Sequence, residues 1–123
     1  MMFAGEEYAS YIALCRELRL ALPWIWRSGD WYEFRGRVNL VPVTSEPAAY
    51  LAGLGVLPEA TPLPRLDQWL AMLEEAGEDT VVLVKDDRWG RSAQTGKPGR
   101  PPWAPTYEEV VARLWMSVRR VAR

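Results

Sequence analysis

The chain has 123 residues, 49% of them hydrophobic and 25% charged, with a formal net charge of -1. This is ordinary globular composition, which excludes global disorder and sets the expectation of a single domain over residues 1–123. With no histidine and one cysteine, Cys15, a Ser-His-Asp or Cys-His site, the usual structural zinc sites and an intramolecular disulfide are all excluded within one chain.

Taken in order, the first element expected is an amphipathic helix over residues 6–22. Tyr8, Ile12, Cys15, Leu18 and Leu22 recur at the spacing of one buried face, and Pro23 ends it. Cys15 falls on that stripe and reads as a small buried hydrophobe, since no activating base accompanies it. The start of the chain has neither a basic n-region nor an apolar h-region, which argues against a secretory signal. No apolar run approaches the ~18 residues that span a bilayer. A cytoplasmic protein with no membrane partner is therefore expected.

An aromatic cluster follows: Trp24, Trp26, Trp31, Tyr32 and Phe34. Such rings can stack on bases, but in a small sheet they more often fill the core. Residues 31–34 and 37–43 read as two strands of a hairpin joined at Arg35-Gly36. Ser45-Glu46-Pro47 opens a short helix to about residue 52, and Gly53 and Gly55 stop it. Residues 57–64 hold three prolines and read as an ordered connection.

A longer helix is expected over residues 64–76, with Leu66, Trp69, Leu70 and Leu73 as its buried stripe and Gly77 past its end. The run Thr80-Val81-Val82-Leu83-Val84-Lys85 suits a central strand covered on both faces. A returning strand is expected after a turn at Asp86-Asp87-Arg88. Residues 95–105 are rich in Gly and Pro, the segment best suited to mobility. Thr106 and Glu109 form a capping box for the last helix, whose stripe is Val110, Leu114, Val118 and Val121; Arg113, Arg119, Arg120 and Arg123 fall on its polar side. The fold class is α+β: a small antiparallel sheet of three to four strands packed by about three helices.

Three segments together resemble a group of small uncharacterised bacterial phage and prophage proteins. They are Gly29-Asp30-Trp31-Tyr32, the run from Leu63-Pro64-Arg65-Leu66-Asp67-Gln68-Trp69-Leu70 to Gly77, and Pro105-Thr106-Tyr107-Glu108-Glu109-Val110. Those proteins pair a "GDW" turn with an "LPRLDQLLEMLEE" helix and end in a "TPEEAL" helix. The likeness covers about residues 29–115, and the loop between Gln94 and Thr106 departs from it by being longer and more basic. It implies a small cytoplasmic α+β protein encoded by mobile DNA. It carries no catalytic residues to transfer.

Charge is uneven: residues 1–80 carry a net of -6 and residues 81–123 a net of +5. Arginine outnumbers lysine 13 to 2, a bias that fits phosphate recognition but fits GC-rich codon usage better. The best candidate site lies in the basic half, where Lys85, Arg88, Trp89, Arg91, Lys97, Arg100 and Trp103 interleave cations and indoles as single-stranded nucleic-acid binders do. Asp86 and Asp87 oppose that reading, as does the near-neutral total charge. The Gly96-Lys97 pair is not a phosphate loop, because Pro98 stands where Ser or Thr is needed. Asp86 and Asp87 with Asp30 form a magnesium site only if the fold gathers them, so no metal and no cofactor are expected.

The chain thus reads as a binding protein, not an enzyme. The leading expectation is a protein-interaction or accessory module that self-associates or binds another protein, because seven Trp and five Tyr exceed what one small core hides. The alternative is a nucleic-acid-binding module using residues 85–103 and the last helix.

Overall fold

The computed structural model describes residues 2–78, 80–95 and 101–121. Its contacts divide the chain into two compact units, Met1–Pro64 and Arg65–Arg123. The elements are helices and antiparallel strands, an α+β fold, with the strands split between two three-stranded sheets.

In the first unit a 3-10 turn, Glu6–Tyr8, leads into α1, Ala9–Leu18. The helix stops four residues short of the expected Leu22, and the chain goes on in turns to Pro23, which disfavours helical backbone in the residue before it. Strands β1 (Trp31–Phe34) and β2 (Arg37–Leu40) form the expected hairpin. Short helix α2, Pro47–Gly53, follows. Strand β3, Thr61–Leu63, arises inside the proline-rich connection, where the sequence predicts no strand. It pairs with β1 at the sheet edge, where Pro62 is tolerated.

The order β2-β1-β3 makes β1 the central strand, and its two faces do different work. Tyr32 packs with Val41, Leu51, Val56 and Ala60, with Trp26 and Phe34 against them. The alternate residues, Trp31 and Glu33, meet Phe3 and the α1 residue Arg16. Of the aromatic cluster, Tyr32 is buried and Trp24, Trp26, Trp31 and Phe34 are half-buried, and Trp24, Trp26 and Tyr32 form an edge-to-face ladder with centroids 6.3 and 6.1 Å apart. Cys15 is fully buried. The Gly29-Asp30 turn is built for structure: Gly29 sits at φ 88°, and the buried Asp30 carboxylate accepts the Arg27 N–H at 2.8 Å.

In the second unit α3, Leu66–Glu75, buries Trp69 and Leu73 completely. Gln68 accepts the Arg65 N–H at 2.8 Å at its start. Its end is a Schellman motif: Glu78 N–H donates to Leu73 C=O, Gly77 N–H donates to Glu74 C=O, and Gly77 takes φ 97°. The second sheet holds β4 (Val82–Asp86), β5 (Gly90–Gln94) and the two-residue β6 (Trp103–Ala104), with β5 in the middle. The apolar run at β4 is thus an edge strand with Val82 55% exposed, not a central strand covered on both faces. Its β-branched residues suit any half-buried pleated surface, and so do not report position in the sheet. The last helix, α4 (Tyr107–Val121), buries Val110, Val111, Ala112 and Trp115, and Trp115 lies 5.6 Å from Trp69. Thr106 caps it through Oγ1 to the Glu109 N–H. Arg119 stacks on Trp115 at 4.8 Å, whereas the side chains of Arg120 and Arg123 lie outside the described residues.

Candidate functional site

Two surfaces carry chemistry. The first is the β4–β5 hairpin with β6, where the sequence placed its candidate site. Asp86 Oδ1 accepts the N–H groups of Arg88 and Trp89 at 2.8 and 2.9 Å, and Gly90 at φ 95° starts the return strand. This turn holds Trp89 at the tip, 63% exposed.

Register then sorts the remaining candidates. Lys85 is opposite Arg91, which is opposite Ala104; Leu83 is opposite Ala93. These residues share the face that carries α4, since Arg91 stacks over the Tyr107 ring at 5.5 Å and Ala93 and Ala104 are buried. The row Val84, Ser92, Trp103 lies on the opposite face, with Val82 and Gln94 alongside. Ser92 in the middle is fully buried and donates to Pro102 C=O at 2.7 Å, while Trp103 and Val82 stay exposed. The structure therefore puts Lys85 and Arg91 on one face, Trp103 on the other, and Arg88 and Trp89 in the turn. Lys97 and Arg100 lie outside the described residues, as does the middle of the Gly/Pro-rich loop. Among the described candidates, Trp103 does not share a face with Lys85 and Arg91.

Among the described residues β4 pairs only with β5, so its other edge presents backbone donors and acceptors. That edge borders the face that carries Val82, Val84, Ser92, Gln94 and Trp103, of which Val82, Gln94 and Trp103 are exposed.

The second surface is an open cleft of about 320 Å³ in the first unit, lined by Arg16, Arg19, Glu33, Phe34, Arg35, Glu59 and Thr61. Arg16 grips Glu33 through Nη2 at 2.7 Å and Nε at 3.2 Å. The Arg16 hydrogen bond holds the Glu33 carboxyl below the usual carboxylate range, against the opposing push of burial, and the Gly36 N–H adds to the lowering. Arg19 donates to Glu59 C=O at 2.8 Å. Arg35 sits over the Phe34 ring at 5.0 Å. None of these residues is among the site residues expected from the sequence. The available signals were a glutamate inside the aromatic strand Trp31-Tyr32-Glu33-Phe34 and an arginine where a hairpin turn favours asparagine.

Asp30 and Asp86 both spend carboxylate oxygens on local backbone N–H groups, and among the described residues no group of three or more His, Cys, Asp or Glu side chains could hold a metal ion. Among the described residues no helix is long and apolar enough to cross a membrane. Comparison with protein-family models, with curated proteins and with solved structures gives no match.

Proposed function

We propose that this chain is a non-catalytic protein-interaction module that self-associates through the β4 edge and the outer face beside it. The observation that carries the reading is the edge strand itself: Val82, 55% exposed, borders a face with Trp103 exposed and no second strand beyond it among the described residues. An exposed apolar edge is a template for adding another strand, and main-chain hydrogen bonds supply the affinity. A second copy is the favoured occupant because a net charge of -1 gives little repulsion between copies. The motif likeness to small phage and prophage proteins supports an accessory role over a metabolic one.

Sedimentation equilibrium tests the reading. The native chain should associate with rising concentration, and Val82→Lys should leave it monomeric, because a charge on an edge strand blocks pairing. A native chain that stays monomeric at every concentration removes the proposal.

A further inference from the structure

The cleft of the first unit has a feature that structure alone does not require. The Arg35-Gly36 turn joins β1 to β2 in two residues, both with positive φ, 50° and 81°, which is a type I′ turn. Asparagine, aspartate or glycine suits the first of these positions, and an arginine there carries backbone strain. Arg35 is exposed and stacks beside Phe34 at the wall of the cleft. Arg19 spends one nitrogen on Glu59 C=O. Arg16 is steered by the buried Glu33, which engages its Nε and Nη2. Three guanidinium groups thus line one opening, against two carboxylates of which one is already paired with Arg16.

We propose that this cleft is a binding site for a small phosphomonoester, with Arg19 and Arg35 as the phosphate-gripping groups and Arg16, fixed by Glu33, completing the set. A tetrahedral dianion offers acceptors to several guanidinium groups at once, whereas a carboxylate offers two oxygens in one plane. The volume of about 320 Å³ sits at the small end of ligand-site sizes, and is larger than a phosphate alone needs. The ligand is therefore a phosphate with an organic body of about nucleotide size, its body facing Phe34 and Thr61.

Calorimetric titration of the full chain with AMP, adenosine and inorganic phosphate tests this. AMP should bind saturably and adenosine should not. Arg35→Asn is the decisive variant: it installs the favoured Asn-Gly turn, so the melting temperature should hold or rise, while AMP affinity falls about tenfold or more. Arg19→Gln should weaken AMP in the same direction. Adenosine binding as tightly as AMP, AMP failing to saturate, or an Arg35→Asn chain that binds AMP as before would each overturn the assignment.

Discussion

Arg16, on the exposed side of α1, closes on Glu33 in the central strand β1 with Nη2 2.7 Å from Oε1. The Glu33 side chain is 6% exposed and that of Arg16 is 53% exposed, so a nearly buried carboxylate is neutralised by a guanidinium that keeps one side in water. Glu33 also accepts the Gly36 N–H at 3.1 Å, which ties helix, strand and turn to one side chain. Replacing Glu33 with Gln weakens two bonds to a charged donor. The expected cost at neutral pH is about 1–3 kcal/mol, below that of a fully buried pair because water can still reach Arg16. Urea denaturation of the two chains measures it.

The same pair sets a pH dependence. The folded Glu33 carboxyl titrates below its unfolded value, so its stabilisation is fully present above about pH 4.3 and is lost as pH falls through the lower folded value. The unfolding midpoint of the native chain should drop on acidification below about pH 4.3. The Glu33→Gln chain should show a shallower drop over that range, and equal slopes would remove Glu33 as the cause.

Tyr11 is fully buried and its hydroxyl donates to Pro64 C=O at 2.5 Å, joining α1 to the residue after β3. Tyr11→Phe keeps the ring contacts with Phe3 and Tyr8 and removes only the donor. A loss of about 1–2 kcal/mol is expected in chemical denaturation.

Gly90 starts β5 at φ 95°, and a β-carbon built there would stand 2.6 Å from the backbone oxygen of Ala104. Gly90→Ala therefore combines strain with a backbone clash. A cost of about 2 kcal/mol or more is expected. It should loosen β6 as well as the hairpin, which amide exchange of Trp103 and Ala104 would show.

The register that puts Lys85 and Arg91 on one face of the second sheet and Trp103 on the other, with Arg88 and Trp89 in the turn, bears on nucleic acid. Anisotropy titrations with single- and double-stranded probes at low salt should show no binding that falls steeply as salt rises. Such binding, weakened by replacing Arg88 and Arg91, would mark the basic segment as an interface.

Much of the fold was legible because local signals agree with packing. The Arg35-Gly36 hairpin, the Gly77 helix stop and the Thr106 cap are each written in a few adjacent residues. Strand β3 was hidden because Pro62 reads as a strand breaker, and only its pairing with Tyr32 at the sheet edge makes it a strand. The position of β4 in its sheet was hidden for a related reason: Val82-Leu83-Val84 has the same composition at an edge as in the centre. The candidate segment was legible in composition but not in facing, since the register that parts Arg91 from Trp103 depends on β6, two residues within a proline-rich stretch. The arginine cleft draws on three separate segments, and no spacing rule joins Arg16 to Glu33 or Arg19 to Glu59.

Amide hydrogen exchange, followed as a function of protein concentration, tests the central claim most directly. If β4 is the self-association edge, protection of Val82, Leu83 and Val84 should rise with concentration while α1 and β1 remain unchanged. Exchange in β4 that is independent of concentration, or a rise in protection confined to other elements, would contradict it.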